Sequence, residues 1–336
     1  MGKNDEMKLN KSSNKAKYVI AFLMNGSKPP RGGELLLSHC IKHLKRSALH
    51  PVVIYAEEGV IVREIKKAGI DTIRIPLNTN ITTPFLKDVL NNPIKVIMFA
   101  MRFIRSMYIL KVIRVLKEHK VDLIYSADTL SKIVGGISGK WLGIKVVAHC
   151  HADYSSIMFK NIMGKTLKLI DSLFLDVILS VSEKVRSCFE GNKKVYSRVR
   201  TVYNGIDSIF LDPTRIDTSL LEEIGCRNQI IIGSIGMLNR FKGQIYLLKA
   251  IKKLKEEGLD GITCIYCGTG EDEDMLKRFV EENDLKSQVR FLGFRKDIPR
   301  VLKVLDMIVI TSFVESFSMV AIEAMAMKVP VIATNI

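Results

Sequence analysis

Glu315 and Glu323 stand eight positions apart in the run Glu315-Ser-Phe-Ser-Met-Val-Ala-Ile-Glu323. Ser316 or Ser318 can cap a helix whose first turns run from Val320 to Met327. The uncapped N–H groups at such a helix mouth favour anions, phosphate oxygens above all. Ionised carboxylates only accept hydrogen bonds, so the two acids suit a ligand rich in hydroxyl groups. A sugar joined to a ribosyl diphosphate offers both kinds of group. On composition alone Glu315 reads equally as a solvated loop acid and Glu323 as a surface helix residue.

Further clusters carry types that could do chemistry. Arg240 and Lys242 lie on a glycine-bounded loop, Gly236-Met-Leu-Asn-Arg-Phe-Lys-Gly243, between a strand-like run and a helical one. Two cations there would clamp a diphosphate; a solvated helix start is the plainer alternative. His149 and His151 end a strand two residues apart, so their side chains share a face. Gly32 and Gly33 can form a tight, side-chain-free loop before a helix, or a plain turn. Asp272-Glu273-Asp274 reads as acids opening a helix, where the dipole favours them, so no metal is expected. Cys264 and Cys267 sit inside a strand-like run with no second pair, so reduced, buried thiols are expected. No G-x-G-x-x-G follows the first strand-like run, which leaves a dinucleotide-dependent dehydrogenase without its signature.

Short apolar runs alternate with helix-length segments throughout, the pattern of parallel sheets covered by helices on both faces. Strands are expected at 18–24, 51–55, 72–75, 122–125, 145–148 and 177–181, then at 230–235, 263–266, 289–291, 307–311 and 329–333. Helices are expected at 34–46, 62–68 and 93–118, then at 244–257, 273–282, 298–304 and 318–327. The division this implies is a polar tail (1–17), a first α/β domain (18–208), a linker (209–228) and a second α/β domain (229–336). With 336 residues, 47% of them hydrophobic, the chain can bury two cores. No apolar run reaches the length of a membrane span. Lys and Arg number 51 against 35 Asp and Glu, a net charge of +16. Residues 229–336 hold 15 and 14 of these, so nearly the whole excess falls in the first 228. Such a field favours anionic ligands or surfaces. The stretch Pro93–Lys120 mixes apolar residues with Lys95, Arg102, Arg105, Lys111, Arg114 and Lys117. It reads as an interfacial helix on anionic lipid or as core helices with snorkelling cations. Without an aromatic platform between the basic residues, nucleic acid is not the expected partner.

Taken in order, these pieces resemble the retaining, family-four nucleotide-sugar glycosyltransferases of the GT-B fold. The Glu315–Glu323 run resembles their E-x7-E signature, and Gly32-Gly-Glu34 their N-terminal glycine loop. His149-Cys-His151 resembles the segment with the active-site histidine, which aligns with His151. Ser180-Val-Ser-Glu183 and Asn204-Gly-Ile-Asp207 resemble the end of the first domain, and Gly236–Gly243 the phosphate loop of the second. Gly268-Thr-Gly-Glu271 and Phe291-Leu-Gly-Phe294 follow. The resemblance covers residues 18–336. It departs at Met237, where relatives usually place an arginine, and at Lys328, where they have glycine.

The resemblance implies two doubly wound Rossmann-like domains facing a cleft, the second ending early at Ile336. It also implies transfer of a sugar, with retention, from a nucleotide diphosphate sugar to a glycan or lipid-linked acceptor, in polysaccharide or glycolipid synthesis. The implied catalytic set is His151, Arg240, Lys242 and Glu315. Donor contacts would come from Gly32, Gly33, Gly236, Arg240, Lys242, Phe294, Glu315, Ser316, Phe317, Ser318, Met319, Val320 and Glu323. The nucleotide sugar is a co-substrate and no separate cofactor is implied. The expected location is cytoplasmic, peripheral on the inner face of the membrane. A truncated chain that binds without turnover and a GT-B sugar-nucleotide epimerase are the alternatives.

Overall fold

A computed structural model describes residues 18–24, 32–44, 48–77, 107–154, 162–226 and 229–336. The expected helix over 93–118 is described only from Tyr108 to Glu118; its earlier part, with Lys95, Arg102 and Arg105, lies outside the described residues, as does the polar tail 1–17. The chain forms two compact units that divide between Val202 and Tyr203.

The first unit carries a parallel sheet of seven strands: β1 (Tyr18–Met24), β2 (Leu49–Tyr55), β3 (Asp71–Arg74), β4 (Leu123–Ser126), β5 (Lys145–Cys150), β6 (Val177–Ser180) and β7 (Val199–Thr201). Their order is β3-β2-β1-β4-β5-β6-β7. From Ala21 to Met24 every residue of β1 is buried, as a strand covered by helices on both faces requires. That is why its sequence is an unbroken apolar run. The short β7 escaped the sequence reading because Val199-Arg-Thr201 has too few residues to show a pattern.

The second unit holds a parallel sheet of five strands: β8 (Ile230–Ile235), β9 (Ile262–Cys267), β10 (Val289–Gly293), β11 (Met307–Ile310) and β12 (Val331–Ala333). Their order is β10-β9-β8-β11-β12. Both sheets begin in the middle and build outward first to one side, then to the other. In such sheets the loops that leave the two central strands diverge, and ligands bind at that opening. In the second unit the opening lies between β8 and β11, which pair through Met307 with Ile232 and Ile308 with Gly233.

The segment 209–228, expected as a linker, is part of the second unit. It forms two 3-10 turns (Ser208–Leu211 and Pro213–Arg215) and the helix Leu220–Ile224. Phe210, Ile216 and Cys226 join the core beside β11 and the helix Met319–Ala326. Arg300 secures the same stretch through Asp217 (3.1 Å) and Glu223 (2.8 Å). The sequence hid this, because the four residues that become buried, Phe210, Ile216, Leu220 and Cys226, follow no helical or strand period.

Cys264 and Cys267, three apart on β9, point to opposite faces of the sheet and enter different core clusters. Both are free and buried. Among the described residues no helix is long and apolar enough to cross a membrane.

Candidate functional site

The loop between β8 and the helix Gln244–Glu256 is folded by its own side chains. Asn239 Oδ1 accepts from the N–H groups of Phe241 and Lys242, both at 3.1 Å, an Asx turn that fixes where Lys242 emerges. Gln244 Nε2 donates to Met237 O at 2.9 Å. From the next strand, Gly268 at φ +141° packs so closely that a Cβ there would lie 2.0 Å from Gly236 O. The Gly268-Thr-Gly270 motif therefore works as the floor of the Gly236–Gly243 loop.

The loop after β11 meets this one. Gly243 has φ +63°, and a Cβ on it would stand 2.4 Å from Thr311 O. Thr311 Oγ1 donates to Lys242 O at 2.9 Å, and Phe313 N to Phe241 O at 2.8 Å. These bonds bring two residues 73 positions apart into contact: Lys242 Nζ lies 2.5 Å from Glu315 Oε1. The same oxygen accepts from Ser312 Oγ at 2.8 Å. The sequence reading gave Lys242 and Glu315 separate tasks, and the structure joins them as an ion pair over the opening between β8 and β11.

The helix Met319–Ala326 starts just beyond. Ser318 occupies its N-cap, yet its hydroxyl makes no capping bond and is buried without a hydrogen-bond partner. Of the two serines expected to cap, Ser318 therefore does not, and the first N–H groups of the helix have no side-chain acceptor from it. Glu323 lies on this helix, and burial pushes its carboxyl up to about 7. Phe317 packs on Tyr203 with ring centroids 6.1 Å apart. Arg240 is exposed, with its guanidinium over the Phe241 ring at 4.8 Å. Phe294 is 56% exposed and follows the left-handed Gly293.

In the first unit, His149 and His151 do share one side, with ring centroids 5.3 Å apart. Burial, with help from His149 and Lys132, lowers His151 to about 4, so its imidazole is neutral at neutral pH. His149 is also lowered by burial, and its Nδ1 lies 2.6 Å from Tyr125 Oη. Gly32 and Gly33 are the first two residues of the helix Gly32–His43 rather than a loop before it.

Family models match both halves of the chain. One, described as Glycosyltransferase Family 4, spans residues 30–209; another, described as Glycosyl transferases group 1, spans residues 223–336. The chain belongs to Glycosyltransferase Family 4.

Among its relatives, the Escherichia coli UDP-Gal:alpha-D-GlcNAc-diphosphoundecaprenol alpha-1,3-galactosyltransferase is 27% identical over 66% of this chain and 60% of its own length. The D-inositol 3-phosphate glycosyltransferase of Corynebacterium jeikeium is 29% identical over 50% of this chain and 42% of its own length. The chain thus spans less than two thirds of both relatives. The crystal structure of Anabaena Alr3699/HepE in complex with UDP and glucose matches with a TM-score of 0.74 and 24% identity, over 95% of this chain and 80% of that one. Together with a sucrose-phosphate synthase from Thermosynechococcus elongatus (TM-score 0.70, 17% identity, 94% of this chain and 81% of that one), it places this Family 4 member in the GT-B fold.

Several residues of the candidate site escaped the sequence reading. Asn239, Ser312 and Gln244 position the loops, and Tyr203 backs Phe317. Asn239 and Ser312 each sit three residues before a charged residue of the site, a spacing at which short polar side chains reach the chain ahead. Gln244 and Tyr203 carry no such local signal.

Proposed function

We propose that this Family 4 member transfers a sugar, with retention, from a nucleotide diphosphate sugar to an acceptor hydroxyl. The observation that carries the reading is the Lys242–Glu315 pair, set over the opening between β8 and β11 beside a helix mouth that Ser318 leaves uncapped. An arriving diphosphate would take Lys242 from Glu315 and lie on the backbone N–H groups of Met319 and Val320. Glu315, so released, would accept hydrogen bonds from the sugar hydroxyls, and Glu323 from the ribose. Arg240 adds a second cation, and Phe294 stacks on the base. Gly236, Ser316 and Phe317 shape the loop walls.

In the reaction the bond from the anomeric carbon to the phosphate oxygen breaks. The acceptor oxygen bonds that carbon on the same face, and the acceptor proton passes to the departing phosphate. Lys242 offsets the charge that grows on the leaving diphosphate, where a preorganised cation contributes most. His151, held neutral by burial, serves at the reacting centre as a hydrogen-bonding group, with Gly32 and Gly33 on the acceptor side.

A membrane-linked acceptor is supported by the outer helices of the first unit. Leu110, Trp141, Leu169 and Leu173 are each at least half exposed, and Lys111, Arg114, Lys117, Lys140 and Lys165 are exposed on the same three helices. This mixture suits the surface of an anionic bilayer. The name of the Escherichia coli relative, which includes a diphosphoundecaprenol-linked acceptor, points the same way.

The test is a panel of UDP-, GDP- and ADP-sugars, beginning with UDP-glucose. The right donor at a hundred times its dissociation constant should stabilise the fold by about 2.7 kcal/mol. Product anomers assigned by NMR then decide retention. Consumption of donor to an isomeric nucleotide sugar with no acceptor present would make the chain an epimerase. Stabilisation with no turnover would make it a binder.

A further inference from the structure

His151 sits where β5 ends, and the three residues after it turn down into the body of the first unit. Each is tied. Ala152 O accepts from Cys150 Sγ at 3.4 Å, and Asp153 Oδ1 from Cys188 Sγ at 2.9 Å. Tyr154 donates its hydroxyl to Asp171 Oδ2 at 3.0 Å and sets its ring edge-on to Phe189. Asp171 lies on the helix Ile162–Phe174 and is in turn held by Lys132 of the helix Thr129–Leu142, at 2.8 and 3.0 Å. Lys132 Nζ also reaches the Tyr154 oxygen at 3.3 Å. Two helices and the histidine loop thus converge on one ion pair in the interior.

Stability alone is a poor reason for this arrangement. Removing two charges from water costs several kcal/mol per ion, and packed apolar residues of similar volume often hold a fold as well or better. What an apolar cluster lacks is direction. A carboxylate with an ammonium on both oxygens and a phenol on one has a fixed orientation, and so does the phenol. Tyr154 is three residues from His151, so fixing its hydroxyl sets the height of the loop that carries the imidazole.

We infer that Lys132, Asp171 and Tyr154 form a positioning unit that orients His151. The inference rests on the reading of His151 as a group at the reacting centre. Displacing such a group by about an ångström lowers the rate of the chemical step while leaving donor binding alone.

Tyr154→Phe removes one hydroxyl and keeps the ring. With a nucleotide sugar that the wild-type chain turns over, kcat should fall by roughly tenfold or more while the donor KM stays within about twofold. Lys132→Met combined with Asp171→Leu removes both charges together and keeps the interior filled, and it should show the same split. The second readout is the His151 ring signal by NMR in the full chain, assigned with His151→Gln. One sharp signal is expected in the wild type, broadened or doubled in both variants. A ring signal unchanged in both variants overturns the inference. Should the wild-type chain turn over no donor, the functional reading fails, and the ring signal alone then decides whether these side chains hold His151.

Discussion

In each unit an ion pair lies near a residue of the proposed site, and the two pairs Lys132–Asp171 and Lys242–Glu315 are built differently. In the first unit Lys132 and Asp171 are 7% and 1% exposed, and a tyrosine hydroxyl completes the set. In the second unit Lys242 and Glu315 are 33% and 17% exposed, at the edge of the sheet where two loops diverge. A buried pair cannot change partners without leaving a charge stranded in the interior. A pair at the surface can, because water or a ligand replaces whichever partner leaves. The first pair therefore holds geometry, and the second is poised to exchange a carboxylate for a phosphate.

The sharpest way to break this contrast is to remove one member of each pair. Lys132→Met strands Asp171 and should cost about 3–5 kcal/mol, read as a lower urea midpoint. Lys242→Ala leaves Glu315 its bond to Ser312 and should cost no more than about 1 kcal/mol of stability. Its effect belongs to catalysis: turnover should fall by roughly two orders of magnitude or more. Equal losses of stability in the two variants would erase the distinction. An undiminished rate in Lys242→Ala would remove Lys242 from the diphosphate.

The two units also differ in how protons act on them. Burial lowers His151 to about 4, below the ordinary histidine value of 6.5. The unfolded chain then binds the extra proton, so this stability is full above pH 6.5 and is lost as pH falls toward 4. Burial raises Glu323 to about 7 from 4.5. There the folded chain binds the extra proton, so stability falls as pH rises from about 4.5 through 7.

Glu323→Gln separates fold from function on this basis. With allowance for its partial exposure, the neutral amide should stabilise the chain at pH 8 by about 1–3 kcal/mol, with little gain at pH 4. The same change should weaken nucleotide-sugar binding, because Gln offers the ribose one acceptor oxygen where the carboxylate offers two. Urea titrations at pH 4 and pH 8 measure the first effect and donor titration calorimetry the second. In the wild type, donor affinity should drop as pH goes below 7. A pH-independent stability gain would mean that charge is not what burdens Glu323.

The alternation of strands and helices was legible because period and length are local properties. So was the helix start in the E-x7-E run, although Ser318, at the N-cap, makes no capping bond. The register of the loops was not legible. Lys242 and Glu315 meet only because β8 and β11 pair, and a single chain does not print which strands are neighbours. Cys264 and Cys267 were legible as well: a strand-like run with no second pair implied buried thiols, and both are free and buried on opposite faces of β9. The stretch 209–228 was misjudged because Phe210, Ile216, Leu220 and Cys226 reach the core from elements of three to five residues or from the turns beside them, too short to show a period. The Lys132–Asp171 pair left no trace, since a lysine and an aspartate thirty-nine residues apart look like two surface charges.

The smallest expected effect serves as a control for the largest claim about Glu323. The helix that carries Glu323 ends in a Schellman motif: Val329 N–H bonds Ala324 O at 2.9 Å and Lys328 N–H bonds Met325 O at 3.0 Å. The motif needs a left-handed residue next to last, usually glycine, and here Lys328 takes it at φ +62°. A side chain in that conformation costs about 1–2 kcal/mol, and glycine gives back about 0.5–1 in lost chain freedom. Lys328→Gly should therefore stabilise the fold by about 0.5–1 kcal/mol, or a rise of a few degrees at most in Tm. Because the gain comes from backbone strain, it should be the same at pH 4 and pH 8, whereas that of Glu323→Gln should not. If Lys328→Gly proves neutral or destabilising, the left-handed residue is not strained, and the helix end owes its form to the packing of Val329 beside Ala324.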